Sequence, residues 1–560
     1  MLKNIALCFS GGGYRAAGFS LGILSYLDHF KIKDTETDLA ISLLDNVNGL
    51  STVSGGTITG VMYTYFRANE RYFEEFYAFF YEFMDKDLLL DLALKKLEDK
   101  DNTVWNNTFK KKSLINAFAL AYRDLFLLDP EDTFKSLYPA TASIKDFCFN
   151  ATEFTYGLAF RFQNEGDFGN YHYRDKTGLQ SHKGDFHVAD IIASSSCFPL
   201  GFEPLTMPHD YFKKDSLAYN QLVQDADFRA GVGIMDGGIV DNQGMGSTML
   251  ADQRNREKGT TAYYDLILNC DVGTGYIDPW KPEPTATGTS ETINQLWGKI
   301  GNFVANNFIA WLLVIIGLGS IIAGSCYSCC YGKWGIFIGT VLLLLGILLF
   351  VIKGAIGYTL KFIENKIKLA IPEFYIPKLK SFDDIGVGTL KRMVLERLTS
   401  GANMVNYVFL NQVRRLNYDL FYKSKNLEGR RATAIINALT KKRYTENTTV
   451  NENDNTTTKK EKELLNTIPK PSKKMFDSAE IAASFGTTLW FEKKDKDIRT
   501  LDNLIACGQF TACYTLLVYI LKTEKKQKQP NAQLETIKEA LLKDWDAFNE
   551  DPFVLVKKRK

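Results

Sequence analysis

The 560-residue chain carries 67 Lys and Arg against 65 Asp and Glu, a formal net charge of +2. So even a balance leaves no electrostatic footprint for nucleic acid, which is excluded as the expected partner. Nine cysteines, an odd number scattered through a long chain, do not make a disulfide framework and point to a reducing compartment.

The chain opens with Ile5–Phe9, an apolar run too short for the core of a signal peptide, so no cleaved leader is expected. The run reads as a buried strand ended by Ser10-Gly11-Gly12-Gly13, and the spacing of Ala17, Leu21, Leu24 and Leu27 predicts a helix from Tyr14 to about Phe30. A second strand, Asn46 to Val53, runs into Ser54-Gly55-Gly56 and a helix over Thr57–Phe66. Strand, glycine loop and helix in repetition predict an α/β domain with a mostly parallel sheet. Residues 67–145 are rich in aromatic and charged side chains and read as a helical insertion whose aromatic stripe faces the core. Strand patterns return at Glu153–Phe162 and Leu266–Val272.

From Ile300 to Gly332 no residue carries a formal charge, and after Lys333 a second such stretch runs from Trp334 to Ile352. Each exceeds or approaches the roughly 20 apolar residues that span a bilayer. The pair predicts a transmembrane hairpin over 300–353. Lys299 before it and Lys353, Lys361, Lys366 and Lys368 after it put both flanks in the cytoplasm by the positive-inside tendency. Cys326-x-x-Cys329-Cys330 lies at its tip, but no second set of ligands pairs with it, and no metal is assigned. Residues 372–560 read as mainly helical, with Thr389–Leu398 and 475–521 as examples, interrupted by a polar tract, 444–474, whose composition predicts a disordered loop.

Three stretches carry chemistry. Gly11-Gly12-Gly13-Tyr14-Arg15 joins a strand to a helix, where successive backbone N–H groups favour a phosphate or the oxyanion of acyl transfer. Gly11, Gly13 and Ala16 also fit a dinucleotide-binding pattern, which alone decides nothing. Val53-Ser54-Gly55-Gly56 has the strand–turn–helix setting of a nucleophile elbow, with Thr52 where the first glycine of Gly-x-Ser-x-Gly would stand. Asp236-Gly237-Gly238 supplies a carboxylate that, beside Ser54, is able to take the hydroxyl proton directly.

Together these stretches resemble the patatin-like phospholipases, whose oxyanion loop reads Gly-Gly-Gly-x-Arg-Gly, whose elbow reads Gly-x-Ser-x-Gly and whose dyad aspartate opens Asp-Gly-Gly/Ala. Ala193-Ser194-Ser195-Ser196-Cys197-Phe198-Pro199 is similar to a fourth segment of that family, and all four occur in family order within residues 1–275. The resemblance departs at Ala16 and Thr52. It implies a three-layer α/β/α core over residues 1–290. It implies Ser54 as nucleophile, Asp236 as base, Gly11, Gly12, Gly13 and Arg15 at the oxyanion hole, and Gly55 and Gly56 in the elbow. No cofactor is needed, and no histidine, although His182 and His187 are the nearest triad candidates. The expected protein is therefore a membrane-anchored lipid acyl hydrolase of the phospholipase A or lysophospholipase type, acting on membrane lipid and facing the cytoplasm. Two rival readings are an inactive membrane scaffold of the same fold and a dinucleotide-dependent membrane reductase.

Overall fold

Alternate residues of a strand face opposite ways, and Ile5–Phe9 sorts accordingly. Ile5, Leu7 and Phe9 join the larger apolar core and Ala6 and Cys8 a smaller one behind it. This is an inner strand of the sheet in a computed structural model that describes residues 2–33, 39–138, 144–258, 264–273, 291–326, 330–370, 387–527 and 531–559. The chain divides into two units, Met1–Ile277 with Val405–Lys560, and Asp278–Met404. The expected boundaries at residues 290 and 372 lie outside the described residues, as does Cys329.

In the first unit the strands are β1 (Ile5–Phe9), β2 (Lys31–Lys33), β3 (Ala40–Ser42), β4 (Val47–Val53), β5 (Asp146–Glu153), β6 (Leu158–Gln163), β7 (Leu205–Met207), β8 (Val232–Asp236), β9 (Leu266–Asp271) and β10 (Arg431–Ile435). Strands β2 and β3 form a small ribbon. The others form one sheet in the order β10-β9-β1-β4-β5-β8-β7, with β6 on β5. Pairing is parallel from β10 through β5, and antiparallel where β6, β7 and β8 join. The larger core takes in α1 (Gly13–His29), α2 (Gly55–Ala68) and helix Val188–Ser196. The smaller core holds Met245 and Ala251 of helix Met245–Glu257 and Phe421 of helix Leu410–Lys423. Helices on both faces of a mainly parallel sheet make the three-layer α/β/α architecture that the sequence predicts.

Three expectations are corrected. The single strand pattern over Glu153–Phe162 is two antiparallel strands, β5 and β6, turning near Gly157, whose φ is +65°. Strand β10, in a region read as helical, extends the parallel sheet; its Ala432 and Ala434 are buried, but Arg-Ala-Thr-Ala-Ile is too short and too weakly apolar to announce a strand. Within the tract 444–474, read as disordered, helix Thr456–Leu465 forms and helix Lys441–Thr448 runs into its start. Tyr444, Leu464 and Ile468 are buried there, and Lys462 meets Asp454 at 2.8 Å. A few apolar anchors suffice, and averaging over the surrounding Asn, Thr and Lys conceals them.

The aromatic insertion buries Phe76, Tyr77, Phe80, Phe83 and Tyr122 in the main core. Helix Thr500–Lys526 is long and apolar, but 89% of its most apolar window lies inside the protein. It packs along α1 so closely that a Cβ on Gly22 would lie 2.2 Å from Ile505 O.

The second unit contains helices Ile293–Ala305, Phe308–Ser325, Cys330–Ala370 and Val387–Asn403. Gly298–Ser325 and Gly332–Thr359 are long and apolar enough to cross a membrane, with 17% and 11% of their apolar windows buried. The two pack antiparallel through glycines. A Cβ on Gly317 would stand 2.7 Å from Leu343 N, and one on Gly324 would stand 2.7 Å from Gly332 O. Small residues at such an interface let helix backbones approach where apolar burial gives no drive. Ile315, Ile322, Phe337 and Leu344 point outward and are exposed.

Candidate active site

The sheet register brings Ser54 and Asp236 together. Parallel β4 ends with Val53 opposite Asn150 of β5, and antiparallel β8 ends with Asp236 opposite Ala151. Because β6 occupies the other edge of β5, the ends of β4 and β8 meet on the same edge. The residue after Val53 is Ser54, which turns the chain into α2 with φ 52° and ψ −123°. A non-glycine residue held there is strained, and such strain collects at functional sites. The Ser54 N–H donates to Ser195 Oγ at 2.9 Å, and Ser195 Oγ donates to Asn150 O at 2.6 Å. The Ala193–Pro199 segment thus holds the turn from behind.

Asp236 is 2% exposed and Ser54 9%. Asp236 Oδ1 accepts the Gly238 N–H at 2.7 Å, whereas Oδ2 is buried with no hydrogen-bond partner among the described residues. Burial pushes the carboxyl up to about 6, opposed by the nearby Ser54 hydroxyl and by the Gly238 N–H. The Ser54 hydroxyl is near enough to favour the ionised form, yet it makes no closed hydrogen bond to Oδ2. The pair is a hydroxyl beside a desolvated acceptor.

The departure at Thr52 is accommodated locally. Thr52 Oγ1 and Thr57 Oγ1 are 2.9 Å apart, and a Cβ on Gly60, one turn into α2, would lie 2.5 Å from Thr52 Cγ2. The bulk added at residue 52 is matched by glycine at residue 60. Gly60→Ala is therefore expected to destabilise by about 1–2 kcal/mol, overpacking outweighing the ~1 kcal/mol helix preference of Ala over Gly. In a Thr52→Ser background, which removes Cγ2 and keeps the hydroxyl, the same change is expected to be neutral or stabilising. Denaturant midpoints of the four proteins check this; additive effects would contradict it.

The glycine loop lies against the elbow. A Cβ on Gly55 would fall 1.9 Å from Gly13 O, so the close approach requires glycine there, and Gly56 would meet Phe9 O at 2.7 Å. The three loop amides are not equivalent. The Gly11 N–H is already taken by Asn242, through O at 2.9 Å and Oδ1 at 3.1 Å. This corrects the expectation that Gly11 donates to an oxyanion. The Tyr14 N–H is likewise taken, by Thr488 O at 2.8 Å. The amides of Gly12 and Gly13 have no acceptor among the described residues and are the open donors.

Arg15 does not face this opening. Its Nη1 donates to Phe485 O at 2.8 Å, while its Nε is buried without a partner. Burial, with Arg414 nearby, pushes Arg15 down to about 10, against the pull of Asp271. Arg414 Nη2 donates to Gly11 O and Asn242 Oδ1, each at 3.3 Å, and its Nη1 to Asp271. His182 is committed elsewhere, to Asp185 at 2.7 Å and Gln221 at 3.0 Å. His187 lines a separate cavity of about 430 Å³ whose walls include neither Ser54 nor Asp236. Among the described residues no group of three or more His, Cys, Asp or Glu is placed to hold a metal ion.

Asn242, Arg414 and the segment Phe485–Phe491 are the site residues that sequence reasoning missed. Asn242 stood six residues beyond Asp236, within sight. Arg414 and Phe485 come from the far end of the chain, and no spacing rule links them to the glycine loop.

Residues 7–247 match the model of the patatin-like phospholipase family. No curated protein matches the chain. The matched span covers the end of β1, the glycine loop, the elbow, the Ala193–Pro199 segment and Asp236, and stops short of β9, β10, Arg414 and the apolar helical pair. The chain thus carries a patatin-like phospholipase domain over residues 7–247.

Proposed function

We propose that the protein is a serine lipid acyl hydrolase of the phospholipase A or lysophospholipase type, anchored in a bilayer by residues 300–353 with its hydrolase unit in the cytoplasm. The observation that carries the chemistry is the Ser54 hydroxyl beside a buried Asp236 carboxylate with one oxygen unpartnered. Ser54 Oγ attacks the ester carbonyl as Asp236 Oδ2 takes its proton, and the Gly12 and Gly13 amides stabilise the oxyanion. Collapse of the tetrahedral intermediate expels the alcohol, which leaves with the proton from Asp236. Water then attacks the acyl-Ser54, again with Asp236 as base, and frees the fatty acid. A fluorophosphonate probe is expected to label the wild-type chain at Ser54 and to leave Ser54→Ala unlabelled. An unlabelled wild type would favour the scaffold reading.

The anchor is supported by the two long apolar helices with outward side chains. The full chain is expected to stay in the membrane pellet through an alkaline carbonate wash. Arginine in place of both Ile315 and Leu344, 63% and 60% exposed, adds about 2.5–3.5 kcal/mol of insertion cost per site on a translocon scale. The double variant should therefore shift to the supernatant. A wild type found in the supernatant would overturn the anchor.

A further inference from the structure

A polar cleft of about 460 Å³ opens in the first unit at the ends of β9 and β10, walled in part by Arg414, Arg415, Lys442 and Arg443, with Asp271 and Glu446. In parallel sheets ligands gather outside the carboxyl ends of the strands. Asp271 and Ile435 are the last residues of β9 and β10, as Val53 is of β4. Strands β10, β9, β1 and β4 are neighbours and parallel, so the cleft and Ser54 lie at the same carboxyl end of the sheet. Strand β9 stands two places from β4, roughly 10 Å at the usual strand spacing. A glycerophospholipid covers such a span between its acyl ester and the far side of its phosphate.

The charges in this region do not cancel. Asp271 is committed to Arg414 and accepts the Tyr418 hydroxyl at 2.9 Å. Arg15 and Arg414 lie close together with that carboxylate as their nearby counter-charge, and Arg15 Nε is buried and unpartnered. Glu446 meets Arg443 at 3.6 Å with both side chains half exposed, a pair that contributes little. The Arg415 side chain has no hydrogen-bond or ion-pair partner among the described residues and is exposed. Arg414 joins the two places, since the guanidinium that walls the cleft also holds Gly11 O and Asn242 Oδ1. A Cβ on Gly11 would stand 3.1 Å from Ser54 Cβ.

We propose that this cleft is the headgroup subsite of the hydrolase: Arg415 and Arg443 bind the phosphate of an anionic phospholipid whose acyl ester reaches Ser54. The guanidinium fork suits phosphate oxygens, and selection comes from the cleft while chemistry stays at the dyad. The inference rests on the acyl-hydrolase reading and names its substrate class. The subsite lies outside residues 7–247, so the C-terminal part of the chain supplies specificity to the matched domain.

The test uses the full-length protein in neutral-detergent micelles holding either dioleoylphosphatidylglycerol or dioleoylglycerol, which has the same acyl chains without phosphate. The ratio of kcat/KM for the first over the second is expected to fall at least tenfold in Arg415→Glu and in Arg443→Glu. It should not move in Lys423→Ala, an exposed site on the same helix. Glycerol 3-phosphate is expected to compete with phosphatidylglycerol, and its binding by calorimetry to weaken at least tenfold in Arg415→Glu. A ratio unchanged in both arginine variants would overturn the subsite while leaving the hydrolase in place. Activation by glycerol 3-phosphate would also overturn it, because the cleft would then serve a soluble effector. Arg415-dependent binding in a wild type that cleaves neither lipid would sink the hydrolase reading and the headgroup role together, leaving an anion site.

Discussion

Replacing Ser54 by alanine is expected to slow ester hydrolysis by at least about a thousandfold, the scale on which loss of a serine nucleophile acts, with the fold intact. The side chain makes no capping bond to α2, so little structure depends on it. The contact that holds the turn runs through the backbone, from the Ser54 N–H to Ser195 Oγ, and survives the change. Alanine meets the same φ of 52° as serine and adds no strain. Turnover of a soluble p-nitrophenyl ester, beside thermal unfolding followed by circular dichroism, separates the two effects. An active alanine variant would remove Ser54 from the mechanism, and an unfolded one would contradict the structural argument.

Asp236→Asn is expected to cost a similar factor in activity and yet to stabilise the protein. The Asp236 carboxyl is pushed up to about 6 by burial, from an ordinary value of 3.8. The folded state therefore binds this proton more tightly than the unfolded chain. Stability from this group is fullest below the ordinary value, falls as pH rises towards 6, and is lost above it. The cost of the buried charge at neutral pH is then about 2–3 kcal/mol, at 1.36 kcal/mol per unit. Asparagine keeps an oxygen for the Gly238 N–H and carries no charge to desolvate, so its unfolding temperature should rise above that of wild type at pH 7.5, with the gap closing towards pH 4. For the wild type, kcat/KM should fall as pH drops through about 6, because only the ionised carboxylate accepts the serine proton. A flat acid limb, or an asparagine variant less stable at neutral pH, would contradict the role assigned to Asp236.

Much of the candidate site was legible in the sequence because the residues proposed to carry its chemistry sit in local motifs. The strand before Gly11, the strand before Ser54 and the turn after Asp236 each couple a short apolar run to glycines, and that coupling marks a sharp strand end. What the motifs cannot say is which amides stay open. Asn242 takes the Gly11 N–H and Thr488 that of Tyr14, and both follow from contacts far apart in sequence. The departure at Thr52 is matched at Gly60, a partner found only when the elbow and α2 are seen together. Strand β10 was hidden for a different reason. Its inward residues are alanines, and its pairing with β9 is reached only after more than 150 intervening residues. The helix Thr500–Lys526 shows the limit of composition from the other side: its apolar length would suit a bilayer, but in this fold it is core.

The most direct test of the central claim is release of free fatty acid from mixed phospholipid vesicles by the purified full-length chain, beside Ser54→Ala and Asp236→Asn. Release by the wild type alone is the predicted result. Equal release by either variant would mean that the ester is cleaved without the Ser54–Asp236 pair, and the dyad mechanism would be wrong.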